Sequence, residues 1–186
     1  MKTSSLRSVF TALFAALISA GSLFAVPIGP VPIVFQNALA VFAGLVLGPV
    51  QGAGAVGLFL IAGILGLPVF SGGRSGMAVL AGPTGGYLAG YFFAALVAGF
   101  AMKNAETEGR DASPASVISA TIAGFACIYL PGVMMLGKSL SLSVPEAIAK
   151  GFAPFIVGDI VKMVILVPLT LKIRPVVART LGDHER

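Results

Sequence analysis

The sequence predicts an all-α integral membrane protein in which six transmembrane helices form one domain across residues 1–186. Apolar residues make up 57% of the chain and charged residues only 10%, whereas a soluble domain usually has about 25% charged residues. The mean hydropathy is +1.00. The apolar residues form long runs divided by glycine, proline or polar segments, which is typical of helices that cross a bilayer.

The first predicted span follows the basic residues Lys2 and Arg7 and extends over residues 8–26. About 20 apolar residues are enough to cross the hydrocarbon core of a bilayer. The basic start, the apolar centre and Ala25 as a possible cleavage point also fit a signal peptide. The sequence alone leaves both interpretations open.

Small residues follow one face of this first span, at Ala12, Ala16 and Ala20. Their four-residue spacing puts them on one side of a helix, where small side chains allow another helix to approach closely. This small-residue face packs either within the bundle or against a second membrane protein. The sequence does not decide between these alternatives.

The other spans are separated by local signals that stop or start helices. Gly48 and Pro49 predict a short turn between the second and third spans. Ser143-Val-Pro-Glu146 matches a capping box, so a helix is expected to begin near Val144. The five spans after the first are expected at residues 34–47, 51–67, 84–102, 115–136 and 152–172, and a cytoplasmic tail at 173–186 follows them.

The most unusual segment is the glycine-rich connection between the third and fourth spans, at residues 68–83. Eight glycines lie within residues 66–91, and Arg74 is the only charged residue between Arg7 and Lys103. Irregular backbone that carries a charge is not tolerated against lipid and belongs over a cavity. We therefore expect this segment, here called the lid, to cover a small-molecule site.

The distribution of basic residues predicts the orientation in the membrane. If both termini are cytoplasmic, eight basic residues lie inside and three outside, as the positive-inside rule requires. The lid then faces outward from the cell membrane. The inside residues are Lys2, Arg7, Lys103, Arg110, Lys172, Arg174, Arg179 and Arg186, and the outside residues are Arg74, Lys138 and Lys150.

Two charged residues lie inside the sixth span, Asp159 and Lys162. Their spacing of three residues puts both on one helical face, and each costs about 2.5–3.5 kcal/mol to insert at a helix centre. One interpretation is an ion pair, with each other or with Arg74, that only locks the bundle. The other is a ligand site in which the carboxylate accepts and the ammonium donates hydrogen bonds.

Further candidate binding residues lie on the lid and at the ends of the spans. Arg74 offers a forked donor to a ligand carboxylate, or else extends to the lipid headgroups, and Gly73 belongs to the flexible part of the lid. Gln36, and beside it Asn37, either face a cavity or bond a neighbouring helix. Thr84 and Tyr87 provide hydroxyls, which backbone groups could satisfy instead.

Several function classes find no support in the sequence. The single histidine, His184, lies in the tail, and Asp159 is the only carboxylate within the spans, so no catalytic residues or metal ligands are proposed. The basic residues are scattered and not interleaved with aromatic residues, which argues against nucleic-acid binding. Gly52–Gly57 matches a dinucleotide-binding pattern but lacks its acidic partner, so these glycines are expected to serve helix packing.

Four stretches carry a family resemblance: VPIGPVPIVFQNALAVFAGLVLGP, GLPVFSGGRSG, GPTGGYLAG and PFIVGDIVK. Together they resemble the BioY family, the biotin-specific substrate-capture subunits, or S components, of energy-coupling factor (ECF) transporters. The resemblance covers about residues 12–172, and the combination of GPTGGY with Asp159-x-x-Lys162 is its specific part. It implies an ECF S-component-like bundle that binds biotin near the outer face.

The resemblance also implies roles for individual residues. Asp159 would accept a hydrogen bond from a ureido N–H of biotin, and Lys162 would donate to the polar groups of biotin. Thr84 and Tyr87 would line the pocket, and we expect Arg74 at the valerate carboxylate. Biotin is then the transported substrate, and no cofactor is expected.

The partners that the resemblance implies are a transmembrane coupling subunit and two cytoplasmic ATPases, with the coupling subunit on the face of Ala12, Ala16 and Ala20. Two other functions remain open. The chain could be an S component for another vitamin or small heterocycle. It could also be a structural membrane subunit, which would show no saturable ligand.

Overall fold

The computed structural model describes residues 3–27, 29–107 and 112–182, and most of these residues are helical. Two short strands, β1 (Ala25–Val26) and β2 (Ile33–Val34), pair antiparallel. The helices of the described residues are α1 (Thr3–Ala20), α2 (Gln36–Ile64), α3 (Met77–Ala81), α4 (Gly85–Thr107), α5 (Pro114–Ser139), α6 (Val144–Gly151) and α7 (Ile156–Gly182), with 3-10 turns at Gly21–Leu23 and Ala153–Phe155.

Within the described residues, five helical stretches are long and apolar enough to cross a membrane, and one of them, α2, supplies two of the six predicted spans. Its backbone leaves the helical region at Gly48, where φ is 80°. A Cβ built on Gly52 would lie 2.7 Å from the Cα of Gly44, whereas eight residues of straight helix measure about 12 Å. The chain therefore reverses at Gly48, as predicted, and α2 is a hairpin of residues 36–47 and 49–64.

Glycines let the central helices approach one another at backbone distance. A Cβ on Gly90 of α4 would lie 2.7 Å from the Cα of Ile128 on α5, and a Cβ on Gly44 of α2 would lie 2.8 Å from the Cα of Ala95 on α4. In lipid, helices associate through such close packing, because the hydrophobic effect gives little preference for helix over lipid. The helices α2, α4 and α5 thus form the centre of the bundle.

The first helix is a packed member of this bundle. Phe14 and Ile18 of α1 are buried, and the ring of Phe14 lies 5.7 Å from that of Phe42 on α2. The helix is shorter than the span predicted to reach residue 26. The helix ends at Ala20, because the following residues make a 3-10 turn and then pair as β1 with β2.

The last helix also extends past residue 172, into the segment 173–186 that was predicted as a cytoplasmic tail. The last helix continues to Gly182, because its residues still pack on the bundle: Val177 is buried, and Arg174 donates a hydrogen bond to the carbonyl of Leu45 at the end of the first half of α2. The predicted capping box at Ser143 and Glu146 is present, and α6 begins at Val144. Lys2, Arg110, residues 183–186 and therefore His184 lie outside the described residues.

Candidate functional site

A cavity lies beneath the lid, between the start of α2, the lid-side halves of α4 and α5, and the turn before α7. Its volume is about 540 Å³, counting the part that opens to solvent. Most of its wall is apolar or aromatic, with a few polar groups at fixed places, which is the usual composition of a small-molecule pocket. The lining residues are Val31, Pro32, Val34, Gln36, Asn37, Phe70, Ser71, Arg74, Val79, Thr84, Tyr87, Leu88, Tyr91, Ile128, Tyr129 and Phe155.

Four polar side chains from three helices meet at one wall of this cavity; we call them the polar cluster: Asn37, Tyr129, Asp159 and Lys162. The Lys162 ammonium donates to Asp159 Oδ1 at 2.8 Å and to Asn37 Oδ1 at 3.0 Å. The Asn37 amide donates to Asp159 Oδ1 at 3.1 Å, and the Tyr129 hydroxyl donates to Asp159 Oδ2. Asn37 and Tyr129 line the cavity, and the two charged residues lie behind them.

The contacts within the cluster offset the free-energy cost of placing two charges within a membrane span. Asp159 is 5% exposed and Lys162 is 7% exposed, and each is compensated by the opposite charge and by further hydrogen bonds. The spacing of three residues on α7 brings both charges to one face, as predicted. The mutual ion pair, one of the interpretations that the sequence left open, is thus present, and its hydrogen-bond partners Asn37 and Tyr129 line the cavity.

Arg74 lies at the cavity mouth, where its Nε donates to the carbonyl of Ser71. Phe70 and Arg74 exchange backbone hydrogen bonds of 2.9 and 3.2 Å, which closes a tight lid turn. Gly73 lies within this turn at a φ of 71°, a left-handed conformation that favours glycine. The structure therefore gives Gly73 a role in the lid turn rather than in the cavity wall.

Gln36 connects the cavity to the lid. Its Nε2 donates to Val69 O at 2.8 Å and to Ile18 O at 3.2 Å, which ties the lid and the end of α1 to α2. Its Oε1 is buried and has no hydrogen-bond partner among the described residues. A buried acceptor of this kind is costly, so a ligand donor that reached it would be favoured.

Thr84, which directly precedes α4, and Tyr87 in its first turn both line the cavity. The Tyr87 hydroxyl, however, donates to Gly151 O at 2.8 Å. Because its hydroxyl is used in this bond, Tyr87 contributes only its ring to the cavity wall. The bond also holds α6 against α4. In the described part of the chain, no group of three His, Cys, Asp or Glu residues is placed to hold a metal ion.

Two cluster residues were not predicted as site residues. For Asn37 the sequence left open whether it faces a cavity or bonds a neighbouring helix, and the structure shows both; Tyr129 was not singled out at all. Asn37 lies 122 positions before Asp159, and an isolated tyrosine in an apolar helix gives no sequence signal for its partner. Only polarity at depth in a span could have suggested either residue.

The small-residue face of α1 points away from the bundle. Ala12, Ala16 and Ala20 are all exposed, whereas Phe14 and Ile18 face inward. Packing of this face within the described bundle, one of the two alternatives left open by the sequence, is therefore excluded. The face is available to another membrane protein or to lipid.

Comparison with known proteins gives consistent results. The model of the BioY family matches residues 1–179. The "Biotin transporter BioY" of Thermotoga maritima is 35% identical over 162 residues, covering 87% of this chain and 92% of that protein. The protein of the same name from Rhizobium etli is 39% identical over 163 residues, covering 84% and 87%.

A solved structure shares the fold. The crystal structure of the S-component for biotin from an ECF-type ABC transporter superposes with a TM-score of 0.83 at 30% sequence identity, covering 91% of this chain and 90% of that one. The match therefore covers most of both chains. By sequence and by structure, the chain belongs to the BioY family.

Proposed function

We propose that this chain captures biotin and takes it up across the cytoplasmic membrane as the substrate-binding S component of an ECF-type transporter. The observation that carries this proposal is the polar cluster at the wall of an otherwise apolar cavity beneath the lid. Biotin is the cargo, and the activity is transport without a catalytic step or a resident cofactor. The names of the relatives support the same substrate.

The chemistry of the cavity suits biotin. Biotin has two ureido N–H donors, a ureido carbonyl and a carboxylate on an apolar ring and chain. Asp159 provides a buried acceptor for one N–H, and Asn37 and Tyr129 present amide and hydroxyl groups on the cavity side of it. The ammonium of Lys162 supplies the donor for the carbonyl.

We place the carboxylate end of biotin at the lid side of the cavity. Arg74 lies at the cavity mouth, where its guanidinium can turn from the Ser71 carbonyl to a ligand carboxylate. Tyr87 and the aliphatic residues of the wall would hold the apolar ring and valeryl chain. Gln36 Oε1 and Thr84 are further polar groups that we assign to the pocket.

Uptake needs an energy source, and we propose that a transmembrane coupling subunit with two cytoplasmic ATPases supplies it. The exposed small-residue face of α1, at Ala12, Ala16 and Ala20, suits close contact with a helix of that coupling subunit. The count of eight basic residues against three supports cytoplasmic termini and an outward-facing lid.

The direct ion pair between Asp159 and Lys162 also fits a second function, a structural subunit whose charges only lock α7 to α2. That function predicts no saturable ligand. An S component for another vitamin or small heterocycle would instead bind a ligand other than biotin. A single titration with biotin distinguishes both alternatives from biotin capture.

The test is calorimetric titration of biotin into the purified full chain in detergent, with no partner present. We expect saturable one-to-one binding that desthiobiotin competes, because desthiobiotin keeps the ureido group and the carboxylate. Thiamine and riboflavin are the controls and should not compete. A folded, monodisperse sample that neither releases heat with biotin nor retains it would refute the substrate, and a vitamin screen would then identify any other ligand.

A further inference from the structure

A second concavity, here called the α5–α7 groove, opens between α5 on one side and α6 with α7 on the other. Its volume is about 1280 Å³, counting its open side. Of its fourteen lining residues, twelve are aliphatic, Phe or Met, and the exceptions are Tyr129 and Asp159 at its floor. Both of these polar side chains are already bonded to each other, so the groove offers its occupant an apolar surface.

The groove has the length of one membrane leaflet. It follows α5 from Ile122 to Met134, a rise of about 18 Å, and the hydrocarbon part of one leaflet is about 15 Å deep. Apolar cavities are not filled by water, and packed interiors leave few large voids. An acyl chain has the length and the chemistry to fill this groove.

A basic residue lies at the lid-side end of the groove. Lys138 follows Met134 by four residues, so it belongs to the same face of α5 one turn further on, in the last turn of the helix. The residue is exposed, and in the described part of the chain its ammonium makes no hydrogen bond or ion pair. Glu146 on α6 is instead occupied by the N–H and hydroxyl of Ser143.

We propose that the α5–α7 groove is a binding site for one acyl chain of an anionic phospholipid whose phosphate lies at Lys138. A lysine near the membrane surface favours an anionic headgroup by a modest Coulomb term, and the groove retains the chain by apolar contact. The bound acyl chain thereby covers the polar cluster on its lipid-facing side, at Tyr129. The groove shares Tyr129 with the cavity and Asp159 with the polar cluster, but lipid binding in the groove does not require bound biotin.

The absence of tryptophan from the sequence makes a direct test possible. A single tryptophan in place of Leu130 reports on the groove, and one in place of Phe93 on α4 reports on ordinary lipid-facing surface. The two positions are matched, since they are 67% and 53% exposed and lie about 12–14 Å from the lid-side ends of their helices. The full chain is reconstituted in vesicles that contain brominated phosphatidylglycerol or brominated phosphatidylcholine, whose bromines quench tryptophan fluorescence on contact.

We expect Leu130→Trp to show about fivefold preference for phosphatidylglycerol over phosphatidylcholine, the ratio expected for one lysine. Phe93→Trp should show none, and Lys138→Gln should abolish the preference at the groove. Equal quenching of Leu130→Trp by both lipids would overturn the proposal. The proposal would also be overturned if Leu130→Trp were not quenched while Phe93→Trp was, because protein would then cover the groove. If Leu130→Trp does not fold, Ile148→Trp on the α6 wall gives the same readout.

Discussion

Replacing Asp159 by asparagine is the most direct perturbation of the polar cluster. The carboxylate accepts hydrogen bonds from Lys162 at 2.8 Å, from Asn37 at 3.1 Å and from the Tyr129 hydroxyl. Asparagine has the same shape but no charge, and one of its two polar atoms is a donor. The substitution therefore removes the acceptor proposed for a ureido N–H and leaves Lys162 without its counter-charge.

Two separate magnitudes follow from this geometry. Loss of a charge-assisted hydrogen bond to biotin costs about 1.5–3 kcal/mol, which is a Kd about 10–150-fold higher. Lys162 is only 7% exposed, and breaking a buried ion pair destabilises a fold by about 3–5 kcal/mol. We expect both effects in Asp159→Asn, and the double variant Asp159→Asn/Lys162→Met should recover stability without recovering affinity.

The assay measures the Kd for biotin by calorimetry and the thermal unfolding midpoint on the same preparations. Glu146→Gln is the matched control, because it makes the same acid-to-amide change at an exposed residue outside the cavity. A folded Asp159→Asn protein that binds biotin as tightly as the parent would remove Asp159 from the site. A double variant with normal affinity would show that the pair only locks the helices.

Three further predictions concern the lid, the partner surface and the helix packing. Arg74→Gln should weaken biotin binding up to about fivefold, the range for an exposed ion pair, while the affinity for biotin methyl ester, titrated in parallel, should not change. Ala16→Phe should reduce co-purification of the coupling subunit and leave biotin binding intact, whereas Ala89→Phe on the exposed face of α4 should affect neither; equal retention by both variants would contradict the docking assignment. Gly90→Ala places a Cβ 2.7 Å from backbone of α5 and should lower the free energy of unfolding by about 1–3 kcal/mol; Gly57→Ala, whose Cβ meets only a side chain at 3.9 Å, should be neutral or slightly stabilising in the same denaturation assay.

The parts of the fold that depend on local chemistry were predictable. A backbone turn at Gly48 and Pro49 follows from the freedom of glycine to adopt a positive φ and from the fixed φ of proline, and the capping box at Ser143 and Glu146 needs only a four-residue pattern. Helix ends were less predictable. The first helix ends at Ala20, six residues before the predicted end of the span, because pairing of β1 with β2 competes with the helix.

The candidate site was predictable in part. A charge inside an apolar span is visible in the sequence, so Asp159 and Lys162 were identified as exceptional before their surroundings were known. Their partners were not, because Asn37 and Tyr129 come from other helices more than twenty positions away. For the hydroxyl of Tyr87 the sequence left open a backbone partner, which the structure identifies as Gly151 O on α6, and nothing local to Tyr87 indicates that particular contact.

By itself the sequence determined that this protein is a membrane-spanning helical bundle with a glycine-rich lid and two charges in its last span. Hydropathy, backbone restriction and charge are properties of the chain in any conformation, so they can be read from its residues. Only the tertiary structure decided that Ala12, Ala16 and Ala20 face outward and that Asn37 and Tyr129 complete the polar cluster. Burial and hydrogen-bond partners depend on which helices meet, and that is set by close packing among α2, α4 and α5 rather than by any single stretch.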